Sequence, residues 1–473
     1  MRKFKHELVA EQFIELIEGG EIKAGDKLPS LRTLSKQQGI SLMTVYHAIS
    51  TLEGLGYVVS RPKSGYYARK PLKKNDFSAN KIFKKKKDGK RIDELVQRVY
   101  GKMDSENMIY LSMNVPATSL LPETKLKKSL LYINRRKSNT GLQYGPITGV
   151  AELSKQIAIL MGHSGINVYS DELIITAGCM EAINLAISAC TKPGDKILIE
   201  SPTYFGIFQA IISQGRVPVE VETDYNNGIV VRSLYKAVEI HKPKACILIA
   251  SYSSPLGATI PDDMKKEIVG YLAKQEVTLI ENDIYGELYY GKQRTRACKS
   301  FDQTDSVIYC SSFSKSLAPG YRVGWIQPGK YYNKVFQAKL HQSVTTSNLT
   351  QEILAHFLKN GRYDLHLKRM RKQLHTQSLK YQQAITHFFP NDTAVTKPEG
   401  GFVLWVELNR TINTLKLYDK AIDHGISFAP GQLFSLEKDL HNYLRISIGQ
   451  PYSASIEKAL EKLGKLIQQE IYV

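Results

Sequence analysis

The chain has 473 residues, 42% apolar and 23% charged, with 64 Lys and Arg against 45 Asp and Glu for a net charge of +19. That length allows about three domains and a large core, and the positive balance favours a polyanionic partner without specifying a fold. No apolar run reaches the ~18 residues of a membrane span, and the charged N-terminus has no continuous apolar signal segment.

Cysteine usage narrows the setting. Five scattered cysteines without a CxxC pair exclude a disulfide framework and offer no zinc spacing, so no metal site is expected. Reduced thiols in a cytoplasmic protein are the expectation.

Val9, Phe13, Leu16 and Ile17 recur at helical spacing, which predicts an amphipathic helix over residues 5–18. Gly19-Gly20 end it. Ser30 caps a short helix from Leu31 to Gln38, Gly39 breaks it, and Ser41 caps a third helix whose Val45, Ile49 and Leu52 share one face. Two short helices about a glycine turn describe a helix-turn-helix. Tyr57–Ser60, the basic turn Arg61–Gly65 and Tyr66–Ala68 then predict a hairpin with a basic tip. The string from Gly25 to Ala68, with PSLR, the glycine turn, S-x-x-TV, LGY and GYY, resembles the winged helix-turn-helix domain of GntR-type bacterial regulators. The resemblance implies double-stranded operator DNA as partner, faced by Arg32, the start of the third helix and the tip around Lys63. That family often carries arginines in the third helix. This chain has Leu42, Met43 and Tyr46 there, leaving Ser41, Thr44, Tyr46 and His47 as contacts. Leu42 or Met43 either meets a thymine methyl or packs on protein, and packing is the expectation for each.

Residues 61–91 hold 13 Lys and Arg against Asp76 and Asp88. Without a sustained period they read mostly as a flexible basic linker, a solvated spacer or a strap on phosphates. Three segments result: 1–70, a linker over 71–105, and 106–473.

After residue 105 the pattern changes. Apolar runs at Leu173–Thr176, Lys196–Glu200, Val217–Val221, Cys246–Ser251, Val277–Asp283 and Val307–Ser311 alternate with helical stretches such as Met180–Ala189 and Asp262–Ala273. That alternation predicts an α/β fold with a mainly parallel sheet and chemistry at the strand C-terminal ends. Lys315 follows one such end. A desolvated lysine there loses its proton readily and becomes available for a Schiff base. Ser312, Ser314 and Arg322 form a phosphate-binding set around it, and Gly178-Cys179-Met180 opens a helix whose backbone N–H groups suit an anion. Asp283 ends a neighbouring strand and can pair with a pyridinium nitrogen. A lysine, a carboxylate and a phosphate cup together suit pyridoxal 5'-phosphate.

In this chain order the set resembles the fold-type I aminotransferases over residues 106–473. The resemblance makes Lys315 the Schiff-base lysine, Asp283 the ring-nitrogen partner, Tyr285 a donor to the phenolic oxygen and Tyr204 the ring-stacking residue. Ser312 and Arg322 then hold the phosphate. It also implies that Tyr144 reaches the phosphate of a second subunit in a homodimer, and that Arg445 binds the carboxylate of an amino-acid-like ligand. The chain departs from that family at Ser254, which stands in Ser253-Ser254-Pro255-Leu256-Gly257 where an Asn-Pro pair is usual. The shorter side chain is expected to leave cofactor binding intact and to weaken transamination.

The order of the two parts resembles the MocR/GabR group of regulators, whose dimer is often head-to-tail. A regulator sensing an amino compound or a B6 vitamer is the leading reading. A working aminotransferase that carries a DNA-binding domain, and a cofactor-free dimerisation domain, are the alternatives.

Overall fold

The computed structural model describes residues 4–61, 64–69, 89–101, 108–136 and 139–471. The chain divides into two compact units, Met1–Asn75 and Asp76–Val473.

The N-terminal unit holds helices α1 (Lys5–Glu18), α2 (Leu31–Gln38) and α3 (Leu42–Gly54) and the hairpin strands β1 (Val58–Arg61) and β2 (Gly65–Ala68). The caps form as expected. Ser30 Oγ accepts the Thr33 N–H at 3.2 Å and Ser41 Oγ accepts that of Thr44 at 3.1 Å. Gly39 ends α2 at φ +62°, a left-handed conformation that glycine adopts without a Cβ penalty. Val45, Ile49 and Leu52 of α3 bury against Val9, Phe13 and Ile17 of α1, each contributing about 1.5–3 kcal/mol. In the hairpin, Arg61 pairs with Gly65. Leu42 and Met43, expected to pack, are instead 46% and 61% exposed, because the face that α3 turns to α1 is complete without them.

The second unit begins with helix α4 (Gly89–Tyr100) and strand β3 (Ile109–Tyr110). Helix α4 revises the linker expectation. Its Ile92, Leu95 and Val99 are buried in the main core, so the i, i+3, i+7 pattern at 92, 95 and 99 is an amphipathic stripe of a packed helix. Helices α5 (Glu123–Arg136), α6 (Ala151–Gly162), α7 (Cys179–Cys190) and α8 (Phe205–Ser213) follow.

The main sheet has eight strands: β4 (Ile174–Thr176), β5 (Lys196–Ser201), β6 (Val217–Asp224), β7 (Gly228–Ile229), β8 (Ala245–Leu248), β9 (Thr278–Asn282), β10 (Val307–Ser312) and β11 (Gly324–Gln327). Their order is β4-β11-β10-β9-β8-β5-β6-β7. Strands β10, β9, β8, β5 and β6 run parallel, while β11 is antiparallel to both β10 and β4. Strand β11 is among the elements that the sequence pattern did not single out. Its Gly324 allows close approach, since a Cβ there would lie 2.7 Å from the Ser311 carbonyl oxygen.

A smaller sheet in the order β12-β13-β16-β15 comprises β12 (Ala394–Val395), β13 (Val403–Glu407), β15 (Ala429–Pro430) and β16 (Tyr443–Ser447). Strand β14 (Ile426–Ser427) pairs in parallel with β3. Among the described residues no helix is long and apolar enough to cross a membrane.

Candidate functional site: a cationic cavity and an exposed helix face

A cavity of about 420 Å³ opens where β8, β9 and β10 end, with walls from Cys179 of α7, Tyr204 before α8, Tyr285, Lys315 and Arg445. This is where an open α/β sheet places its ligands. Lys315 and the guanidinium groups of Arg322 and Arg445 reach the cavity, and no Asp or Glu lines it among the described residues. Burial, helped by Arg445 and Arg322, lowers the Lys315 ammonium to about 7. Its Nζ donates to the Asn114 carbonyl. Near neutral pH a large share of this amine is therefore an uncharged nucleophile.

A second cationic feature stands beside it. Arg322 donates to Ser314 Oγ at 3.1 Å and to the Ala177 carbonyl at 3.0 Å. Gly178 precedes α7 at φ +105°, and a Cβ there would meet Arg322 Nη2 at 2.4 Å. Glycine thus lets the guanidinium lie against the α7 N-terminus, where Cys179 and Met180 line the cavity. An N-terminal turn plus a guanidinium is an anion site. Ser312 is buried and does not line the cavity; its Oγ accepts the Ser314 N–H at 3.3 Å, so it shapes the loop.

Asp283 requires a correction. Successive residues of a strand face opposite sides. At the end of β9, Asn282 lines the cavity and Asp283 does not. The Asp283 carboxylate accepts from Arg294 and, at 2.7 Å, from the Tyr309 hydroxyl. Arg294 continues to Glu287 at 2.8 Å. Gly286 leaves room for this network, since its Cβ would fall 2.3 Å from Asp283 Oδ1. Asn282 Oδ1 accepts the Cys179 thiol at 3.2 Å, a thiol that burial keeps protonated.

Tyr285 and Tyr204 line the cavity as expected. Ser254 is fully buried and does not line it. Asn114 instead lies between the two, donating from Nδ2 to Tyr285 Oη at 2.7 Å and to Ser254 Oγ at 3.4 Å. Arg445 has no solvent exposure. Its Nη2 donates to the Tyr100 hydroxyl at 3.1 Å and to the Ser112 carbonyl, while its Nε and Nη1 have no hydrogen-bond partner among the described residues. A buried guanidinium with open donors is costly alone and well suited to a carboxylate.

These features fit pyridoxal 5'-phosphate with a carboxylate-bearing ligand beside it: a near-neutral lysine, an anion cup, aromatic walls and open arginine donors. Sequence reasoning missed Tyr100, Asn114 and Asn282. Strand alternation was the available signal for Asn282; Tyr100 and Asn114 left none.

Tyr144 is 88% exposed and lies outside the cavity. In the N-terminal unit Arg32, Ser41, Tyr46 and His47 are exposed and Thr44 is half-buried, beside exposed Leu42 and Met43. Lys63 lies outside the described residues.

Residues 106–463 match the family described as aminotransferase class I and II, and residues 5–67 match the bacterial regulatory proteins of the gntR family. The uncharacterized HTH-type transcriptional regulator YdcR of Escherichia coli is 34% identical over 99% of this chain and all of its own length. The HTH-type transcriptional regulator NorG of Staphylococcus aureus is 24% identical over 94% of this chain and all of its own. Among solved structures, the multiple substrate aminotransferase of Thermococcus profundus aligns with a TM-score of 0.74 at 25% identity, covering 80% of this chain and 95% of that one. LysN, the α-aminoadipate aminotransferase of Thermus thermophilus, solved with N-(5'-phosphopyridoxyl)-L-leucine, aligns at 0.73 and 26% identity over 80% and 99%.

Proposed function

Because the chain belongs to the aminotransferase class I and II family and is a MocR-type, pyridoxal 5'-phosphate-dependent regulator, we propose that its cavity senses an amino carboxylate and controls operator binding through α4. The observation that carries this is Arg445. Its Nε and Nη1 have no hydrogen-bond partner among the described residues, and its third nitrogen holds Tyr100, the last residue of the helix that follows the basic linker.

Pyridoxal 5'-phosphate supplies a carbonyl that condenses with amines and a ring that withdraws electrons. Lys315 would hold it covalently. Arg322, Ser314 and the α7 N-terminus would hold its phosphate, Tyr204 would cover the ring, and Tyr285, positioned by Asn114, would reach its phenolic oxygen. Arg445 would take the effector's carboxylate. A carboxylate taken by Nε and Nη1 shares the guanidinium whose Nη2 holds Tyr100, and α4 and the linker respond. Only a difference in effector affinity between two arrangements of α4 can drive that change.

The DNA-facing residues are Arg32, Ser41, Thr44, Tyr46 and His47, with Leu42 and Met43 exposed between them as apolar contacts. A cytoplasmic homodimer completes the reading. Leu131, Tyr132, Leu142 and Tyr144 are exposed apolar groups within one stretch of chain, and a second subunit that covers them would receive Tyr144.

The test is fluorescence anisotropy of full-length protein on DNA from its own upstream region, with cofactor saturating and a panel of amino acids added. The expected result is that one amino acid shifts DNA affinity in wild type and not in Arg445→Ala. A shift on adding pyridoxal 5'-phosphate alone would make the cofactor itself the effector. No shift with any addition would overturn the sensing role.

A further inference from the structure

We propose that this chain's cavity holds its cofactor with the ring nitrogen unprotonated, against the neutral amide of Asn282, so that it binds amino compounds without transaminating them. This rests on the reading that the cavity holds pyridoxal 5'-phosphate.

Strand β9 carries the argument. Ile280 and Asn282 share the face that packs on α7, whereas Glu281 and Asp283 share the other. Glu281 accepts the N–H groups of Cys298 and Lys299 at 2.7 and 2.9 Å. Asp283 is held by Arg294 and Tyr309, and its carbonyl accepts the Ser311 hydroxyl at 2.8 Å. Both acids are committed behind the sheet. The side chain that β9 presents to the cavity at its end is an amide.

The cavity's charge points the same way. Lys315, Arg322 and Arg445 line it without a carboxylate among the described residues. Nearby cations disfavour a further positive charge, and a hydrogen bond to the neutral form stabilises that form. Asn282 Oδ1 already accepts the Cys179 thiol, so its NH2, a donor, is the group we assign to the ring. A donor suits the lone pair of a neutral pyridine nitrogen and repels a pyridinium N–H.

A protonated ring is what draws electrons from the amino acid's Cα when its proton leaves. In a complete half-reaction that proton returns on the cofactor's carbon, and water then releases the keto acid and leaves the amino group on the cofactor. A neutral ring draws those electrons less strongly, so loss of the Cα proton is slowed. The amine still exchanges onto the cofactor carbonyl in place of Lys315, and Arg445 still takes the carboxylate. The ligand class is therefore an amino acid recognised and returned intact.

The experiment loads the full-length protein with pyridoxal 5'-phosphate labelled with 15N in the ring and reads the ring nitrogen by NMR. Wild type is expected at the position of a neutral pyridine, and Asn282→Asp at that of a pyridinium. In a second readout, acid release after incubation with amino acids is expected to return pyridoxal 5'-phosphate from wild type and a measurable fraction of pyridoxamine 5'-phosphate from Asn282→Asp. A pyridinium signal in wild type overturns the inference whatever the variant does. Absence of any Lys315-dependent bound signal overturns the cofactor reading beneath it, and this inference with it.

Discussion

Arg445 Nη2 lies 3.1 Å from the hydroxyl of Tyr100, 345 positions earlier in the chain. The contact joins the cavity's buried guanidinium to the helix that leads from the linker. Tyr100 also donates to the Ser112 carbonyl at 3.2 Å. Tyr100→Phe removes these bonds, at about 1 kcal/mol each. Cofactor uptake, read by absorbance, is expected to stay as in wild type, while the effector-dependent change in DNA affinity shrinks about fivefold. An undiminished response in this variant would remove α4 from the signalling route.

The amine of Lys315 sits near pH 7 because burial and two arginines oppose its charge. Attachment of the cofactor needs the uncharged amine. Its rate should therefore rise with pH through about 7 and level off, roughly tenfold faster at pH 8 than at pH 6. An ordinary lysine would keep gaining up to about 10.4. Stopped-flow absorbance across this range decides between the two. Lys315→Ala should show no covalent band at any pH.

Asp283 and Asn282 should separate cleanly on mutation. Asp283→Asn breaks the buried pair with Arg294, which keeps Glu287 as its remaining acid. A loss of about 3 kcal/mol in unfolding free energy is expected, the lower end for a broken buried ion pair. The absorption of the folded fraction with cofactor bound should be unchanged. Denaturant titration beside a cofactor spectrum tests both halves, and a stable Asp283→Asn protein with an altered cofactor band would return Asp283 to the cavity.

DNA binding should weaken steeply as salt rises, because a basic domain releases counterions on binding. Arg32→Ala should cost about 1–3 kcal/mol of DNA affinity with melting unchanged. Ser41→Ala should instead destabilise the N-terminal unit by about 0.5–2 kcal/mol, through loss of the cap on Thr44 N–H. Anisotropy at several salt concentrations and thermal melts distinguish a DNA contact from a helix cap.

Much of the molecule was legible beforehand. The helices Lys5–Glu18 and Leu31–Gln38 begin and end where the apolar spacing and the glycines placed them, and the six apolar runs became strands β4, β5, β6, β8, β9 and β10. Lys315, Arg322, Tyr204, Tyr285 and Arg445 do meet at one cavity. Helix α4 was absorbed into a basic linker because charge dominates the composition around it and its apolar stripe is only three residues long.

What the sequence by itself determined is whatever rests on local periodicity, capping and turn chemistry, since those interactions act between residues a few positions apart: the winged helix, the alternating strands and helices, and the residue types able to hold a phosphorylated aldehyde. What only the tertiary structure decided is which way each side chain faces. Asn282 and Asp283 are adjacent and both end β9, and strand alternation says only that they face opposite sides. Packing of β9 against α7 on one face, and the Arg294–Tyr309 network on the other, turned the amide to the cavity and the acid away from it.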